Sequence, residues 1–93
     1  MTVQSLTLEM SRLLAVPESE VIHKGRLALI EKEMRLAEME IAAIRERYDL
    51  FSKEALYDAI RNGSIPGHPA WEDYIVWKNQ EAHITQLRKI VRK

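Results

Sequence analysis

The sequence of 93 residues contains no cysteine, which excludes disulfide bonds and metal sites built from thiolates. The chain also lacks an excess of charge, because 14 basic residues balance 14 acidic ones. Nucleic-acid-binding domains usually carry a clear basic excess that supplies the attraction for phosphates. Proline and glycine are scarce, and residues 18–48 hold no proline and a single glycine, Gly25. The absence of cysteine fits a reducing cytoplasm.

Long hydrophobic runs are also missing. The longest apolar stretches, residues 27–30 and 41–44, are far too short to span a bilayer. We therefore expect a soluble, cytoplasmic protein with no membrane partner. Residues 1–93 are expected to form one helical domain. Because a chain of this size buries only a small share of its surface, its core is small, and association with another chain commonly adds the missing burial.

A heptad pattern dominates residues 18–48 and predicts one long helix. A helix of that length extends about 46 Å, whereas a compact monomer of this size has a radius of gyration of only about 12 Å. A second apolar row, Leu29, Leu36 and Ala43, flanks the seam. We therefore predict a homodimer or higher oligomer, with a bent monomeric three-helix bundle as the alternative. The predicted oligomer interface is the seam of Leu27, Ile30, Met34, Ala37, Ile41 and Ile44.

The remaining segments predict shorter elements on either side of this helix. Residues 1–16 suggest an N-terminal arm, in which residues 2–8 form a strand or Thr7 caps a short helix. Ser52 is a good N-cap for a helix over 52–61, with Phe51 stapled onto Leu56. A last helix is expected over residues 69–92, beginning with Pro69. The fold class is thus all-α: a coiled-coil-like antiparallel hairpin of the long helix and the returning C-terminal helix.

The last helix carries two groups of side chains that suggest binding. Trp71 and Tyr74 share a helical face, as do Tyr74 and Trp77, so the three predict an aromatic ridge that either anchors the hairpin core or docks a partner protein. Near its end lie four basic residues that suggest either a solvated helix end or weak phosphate contacts. These four are Arg88, Lys89, Arg92 and Lys93.

No arrangement of residues predicts catalysis. No serine or carboxylate is placed to form a triad with a histidine, and glycine-rich phosphate loops are absent. We therefore expect a protein that is not an enzyme and that uses neither a cofactor nor a metal.

Three stretches resemble small prokaryotic antitoxin-like proteins of toxin–antitoxin modules. They are LTLEMSRLLAVPESEV at residues 6–21, IRERYD at 44–49 and GSIPGHPAWEDY at 63–74. The first is similar to the opening of short ribbon-helix-helix-like antitoxins, although the extended arm of residues 2–8 carries no lysine or arginine. The resemblance implies an intracellular binding protein that wraps or caps a toxin partner. The alternatives are a dimeric DNA-binding regulator and a structural coiled-coil assembly protein.

Overall fold

The computed structural model describes residues 3–15 and 17–92 of the chain. It contains four α-helices, and no β-strand occurs in the described residues. The predicted all-α fold class is therefore confirmed. The helices are α1 (Val3–Leu14), α2 (Glu18–Tyr48), α3 (Lys53–Arg61) and α4 (Gly67–Arg92).

The chain divides into two compact units, residues 1–32 and 33–93. The boundary falls inside α2, so that the first unit holds α1 and the start of α2, and the second holds the rest of α2 with α3 and α4. The single helical domain expected over residues 1–93 stays a prediction.

The N-terminal segment forms a helix, although the sequence also allowed a strand there. Helix α1 starts at Val3, and its residues Leu6, Met10 and Leu13 follow the helical spacing of three and four. This spacing prevails over the loose alternation of residues 2–8, so a strand over residues 3–8 is wrong. The carbonyl of Pro17 accepts hydrogen bonds from the amides of residues 20 and 21, at 3.0 and 3.1 Å, and these bonds form the first turn of α2.

Helix α2 ends in a Schellman arrangement. Asp49 adopts a positive φ of 54°, and the amide of Leu50 donates to the carbonyl of Arg45 at 3.2 Å. In this motif a residue in the left-handed conformation lets the chain reverse while it satisfies a carbonyl of the last turn. The turn redirects the chain into α3, and so prepares the return of α4.

Helix α3 begins at the N-cap that the sequence predicted. The hydroxyl of Ser52 accepts a hydrogen bond from the amide of Ala55 at 3.1 Å. The predicted staple between Phe51 and Leu56 does not form, because Phe51 is 87% exposed while Leu56 is completely buried. At the other end, Gly63 adopts a φ of 81° that glycine tolerates better than other residues.

Helix α4 returns antiparallel to the part of α2 that lies in the second unit. Arg47 contacts Asp73 near the start of α4, while Glu38 lies 4.0 Å from Arg88 near its end. One residue of α4, His68, has non-helical angles, so the regular helix begins after it, where the sequence predicted. The hairpin encloses one core cluster: Ala37, Ile41, Ile44, Leu56, Ala70, Trp77 and Ile84.

This core corrects the predicted oligomer interface at three of its six residues. Ala37, Ile41 and Ile44 are buried against α3 and α4, and Met34 packs against the same cluster. The seam is used inside the chain because α4 returns over it, and these three buried residues cannot also face a second copy. Leu27 and Ile30 belong to the first unit, where both are half-buried.

Candidate protein-interaction surface

Three aromatic rings from two helices meet at one side of the second unit. Tyr57 of α3 lies 5.8 Å from Trp71 and 5.4 Å from Tyr74, measured between ring centroids. Trp71 and Tyr74 of α4 stack at 5.3 Å with an interplanar angle of 20°. These separations fall within the range in which aromatic pairs attract each other beyond simple burial. We call Tyr57, Trp71 and Tyr74 the aromatic cluster.

The aromatic cluster is open to solvent. Trp71 is 43% exposed, and both tyrosines are half-buried. Ile75, the next residue of α4 beyond the cluster, is 42% exposed and extends the apolar surface. Tryptophan and tyrosine are enriched among the residues that anchor protein interfaces.

Core residues next to the aromatic cluster fix the helices that carry it. Ala70, beside Trp71 in the sequence, is 1% exposed, and its small side chain packs into the core cluster. Leu56, beside Tyr57, is completely buried in the same cluster. Because Trp71 and Tyr57 are each adjacent to a core residue and Tyr74 itself packs against the core cluster, the three rings are carried by helices rather than by a loop.

Trp77 does not belong to this surface, which corrects the predicted ridge. Its side chain is completely buried, and its indole Nε1 donates to Oε1 of Glu81 at 3.2 Å. The guanidinium of Arg45 lies 5.5 Å from its ring. Trp77 therefore anchors the core, which is the alternative role that the sequence left open, whereas Trp71 is exposed and Tyr74 is half-buried against the core cluster. The docking role of Trp71 and Tyr74 stays a prediction.

Asp73 ties the start of α4 to the end of α2. Its carboxylate accepts hydrogen bonds from the Tyr48 hydroxyl and, at 2.8 Å, from Nη1 of Arg47. Partial burial by itself raises the pKa of Asp73, but the hydrogen bonds from Tyr48 and Arg47 outweigh it and the net pKa is lowered. The carboxylate is thus kept charged beside the aromatic cluster and fixes the orientation of α4.

A second polar contact ties α3 to α4. The ammonium group of Lys53 contacts Oε2 of Glu81, and the hydrogen bond to Glu81 is the largest cause of a raised pKa of Lys53. Glu81 also accepts the Trp77 indole proton with its other oxygen. Both carboxylate oxygens are therefore occupied, and Glu81 has a structural role in the helix packing.

Three of the four predicted phosphate-contacting residues lie at the exposed end of α4, and their contact with phosphate stays a prediction. Arg88 is more than half exposed and lies 4.0 Å from Glu38, an acidic neighbour that offsets its charge. Lys89 and Arg92 are exposed, and Lys93 lies outside the described residues. The proximity of Glu38 reduces the attraction that this helix end offers to an anion.

A groove with a volume of about 520 Å³ runs between α2 and α4 in the second unit. Its floor is formed by Ile41 and Ile84, and its walls carry both signs of charge, with Glu38 and Glu81 facing Arg45 and Arg88. Glu81 and Arg45 already have partners within the fold. The mixed charge gives the groove no evident preference for a ligand of one sign.

An apolar face of α2 remains uncovered within the second unit. Leu36 is 48% exposed and Met39 is 62% exposed. Both belong to the face of α2 that points away from the core, since Leu36 is rotated by about 140° from Ile41 around the helix. Leu36 lies in the flanking row of the heptad pattern, and it is exposed where Ala37 and Ile41 of the seam are buried.

The sequence did not reveal Tyr57 or Arg61 as parts of the surface. Tyr57 is 14 residues from Trp71 in the chain and comes from another helix. The one local signal was the spacing of Tyr57 and Arg61, which places the guanidinium beside the ring, 5.8 Å from its centroid. Only the packing of α3 on α4 brings Tyr57 to Trp71.

Among the described residues, no helix is long and apolar enough to cross a membrane. Comparison with known families finds that the model of the Uncharacterized protein MJ0235 family matches residues 1–93. No curated protein and no solved structure matches the chain.

Proposed function

The chain belongs to the Uncharacterized protein MJ0235 family, and we propose that it acts as a protein-binding module whose aromatic cluster anchors the partner chain. The observation that carries this proposal is the exposure of Trp71 in direct contact with two tyrosines. Tryptophan and tyrosine are enriched among residues whose truncation costs an interface more than about 2 kcal/mol. A binding role rather than catalysis is part of the same proposal.

The rigidity of the cluster supports this role. Anchors that are already held in place lose little conformational freedom when a partner binds. Trp71 is restrained by its stack on Tyr74, and Tyr57 is restrained by both of these rings and by Arg61. A partner would therefore gain the contact area of the rings without having to order them first.

The proposal is tested by capture of a partner from the organism that carries this protein. The captured partner is identified, purified and titrated against the wild-type chain and the Trp71→Ala variant. We expect Trp71→Ala to weaken binding by at least about tenfold, or about 1.4 kcal/mol. The matched control is Phe51→Ala, because Phe51 is 87% exposed in the same unit but lies outside the cluster. Equal affinities of all three proteins for the partner would refute the assignment of the surface.

The narrower form of this proposal is that the partner is a toxin, as the resemblance to antitoxin-like proteins implies. In that case the product of an adjacent reading frame inhibits growth when expressed alone, and co-expression with this chain restores growth. We expect Trp71→Ala to reduce this rescue and Phe51→Ala to preserve it. If the adjacent gene product has no effect on growth, the toxin partner is refuted, whereas the proposed protein-binding role is not affected.

Self-association through Leu36 and Met39 is the second part of the proposal. These side chains lie three residues apart on one face of α2 and remain largely exposed. Burial of an apolar side chain of this size contributes roughly 1.5–3 kcal/mol, which a second copy of the chain would supply at both sides of the interface. The face is separate from the aromatic cluster of α3 and α4, so the two forms of binding are independent of each other.

A further inference from the structure

The exposed face of α2 that holds Leu36 and Met39 carries three further exposed residues, Arg35, Ala43 and Glu46. Leu36 and Ala43 are seven residues apart, so they lie within about 20° of each other around the helix. Arg35 and Glu46 are eleven residues apart, or about three turns, and they are also separated by about 20°. Met39 lies between these two pairs around the helix. We call the five residues the outer face of α2.

The two charges of the outer face take no part in the ion pairs of the fold. Arg35 and Glu46 form no ion pair in the part of the chain that the structure describes. By contrast, Arg47 lies on another side of α2 and binds Asp73 of α4 at 2.8 Å. The charges of the outer face, like its apolar side chains, are therefore available to another chain.

The apolar pair and the charged pair of the outer face are centred at almost the same level of the helix. The midpoint of Leu36 and Ala43 falls between residues 39 and 40, and that of Arg35 and Glu46 falls between residues 40 and 41. These midpoints are about 1.5 Å apart along the helix axis. A single two-fold axis that crosses α2 at this level therefore brings each member of both pairs opposite the other member on a second copy.

We propose that two copies of the chain associate through the outer face of α2, with the two helices antiparallel and a two-fold axis near Met39. In this dimer Leu36 packs against the partner's Ala43, and Arg35 forms an ion pair with the partner's Glu46. Because the interface is symmetric, each of these contacts occurs twice. The inference rests on the self-association part of the proposed function, to which it adds the orientation and the contacting residues.

The sizes of the apolar residues favour this orientation. A leucine that faces an alanine lets two helices approach to the separation of about 8–10 Å that is usual for packed helices. In a parallel pair, Leu36 would instead lie beside the partner's Leu36, and Ala43 beside the partner's Ala43. The first level would be crowded, and the second would leave a gap between the helices, which loses packing contacts.

The charges favour the same orientation. In a parallel pair, Arg35 would lie level with the partner's Arg35, and Glu46 with the partner's Glu46, so that like charges would repel at both levels. Charges beside an apolar helix contact are known to set the direction in which two helices pair. Exposed ion pairs stabilise only weakly, so the apolar contacts supply most of the affinity and the charges select the orientation.

A second copy is the occupant that this geometry favours over an unrelated chain. A two-fold interface requires each contact of a surface to have a complement on that same surface, whereas an unrelated partner imposes no such condition. The outer face meets this requirement twice, with a large and a small apolar residue and with a positive and a negative charge. Both charged side chains are exposed in the single chain, so their ion pair acts only where the dimer forms.

The orientation is tested by disulfide formation, because the sequence contains no cysteine and each introduced thiol is the only one in its chain. Full-length Leu36→Cys and Ala43→Cys variants, one of them with an affinity tag, are mixed and oxidised at a concentration at which the wild-type chain is dimeric. We expect the mixture to give a mixed disulfide and each variant alone to give little product. Phe51→Cys is the control for random collision, since Phe51 is 87% exposed and lies outside α2.

Charge reversal tests the ion pairs separately. We expect Arg35→Glu and Glu46→Arg each to raise the dissociation constant of the dimer by about tenfold, because each places two like-charged pairs in the interface. The double variant restores the opposite charges, and we expect it to recover the wild-type dissociation constant. Arg61→Glu is the matched control, since Arg61 is an exposed arginine of α3. Sedimentation equilibrium measures the dissociation constants, and circular dichroism verifies that the variants are folded.

A disulfide of Leu36→Cys with its own copy, or single charge reversals without effect, would overturn the antiparallel interface. If the dimer nevertheless dissociates in the Leu36→Glu, Met39→Glu double variant, the orientation fails and self-association through this face stands. A wild-type chain that is monomeric at high micromolar concentration, or a dimer that this double variant leaves intact, refutes both.

Discussion

Trp71 and Trp77 face different sides of helix α4, because six residues turn an α-helix through one and two-thirds turns and leave the two indoles about 120° apart. Trp71 is consequently 43% exposed in the aromatic cluster, whereas Trp77 is completely buried in the core. Tyr74 lies between them in the sequence and within contact of Trp71. The same residue type is thus a core residue at one position and an exposed surface residue at the other.

This difference predicts unequal losses of stability for the two tryptophan truncations. Trp77→Ala leaves a large cavity and is expected to lower the free energy of unfolding by about 3–5 kcal/mol. Trp71→Ala loses ring contacts at the surface and is expected to cost about 1 kcal/mol. Urea denaturation followed by far-UV circular dichroism measures both. Similar losses for the two variants would contradict the separation of core and surface.

The contacts of Asp73 predict a pH dependence of stability. A carboxylate whose pKa is lower in the folded than in the unfolded chain stabilises the fold above the unfolded value and loses this effect as the pH falls through the folded value. The pKa of Asp73 is lowered, and that of an unfolded aspartate is about 3.9. We expect Asp73→Asn to be less stable than wild type near neutral pH, with the difference shrinking below about pH 3.9.

Urea midpoints of the two proteins across the acidic range measure this difference. Glu46→Gln, at an exposed position of α2 with no ion pair among the described residues, is the control for removal of one carboxylate. A constant offset between Asp73→Asn and wild type down to the most acidic pH would show that the charge of Asp73 is not what stabilises the fold.

The exposed face of α2 predicts a change in association. We expect the wild-type chain to form a dimer or a higher oligomer, and the double variant Leu36→Glu with Met39→Glu to raise the dissociation constant at least about tenfold. Two carboxylates on each copy would face their counterparts and remain unpaired. Light scattering coupled to size-exclusion chromatography measures the mass, with Phe51→Glu as the control. A wild-type chain that stays monomeric at high micromolar concentration would rule out self-association.

The cap of α3 predicts a small and specific loss of stability. Ser52→Ala removes the acceptor for the amide of Ala55 and is expected to cost about 1 kcal/mol. Ser52→Gly is expected to cost only a few tenths of that amount, because glycine is a tolerable N-cap. Urea denaturation compares the two variants. A larger loss for glycine than for alanine would indicate that the hydroxyl is not what caps the helix.

The long helix and the cap of α3 were predictable because their signals are local. The heptad spacing and the absence of proline define α2 over the same residues that the structure shows, and Ser52 caps α3 as predicted. The aromatic cluster was only half predictable. Trp71 and Tyr74 share a face by their spacing in one helix, but Tyr57 joins them from another helix, which no local pattern encodes.

The seam of α2 was also only partly predictable from the sequence. Its spacing established that Ile41 and Ile44 are buried, but it did not establish what buries them, and α4 of the same chain does so rather than a second copy. A sequence by itself determines periodicity, helix ends and turn residues, because these depend on neighbours within a few positions. Only the tertiary structure decides which apolar face is covered and which stays open, because burial depends on elements that are distant along the chain.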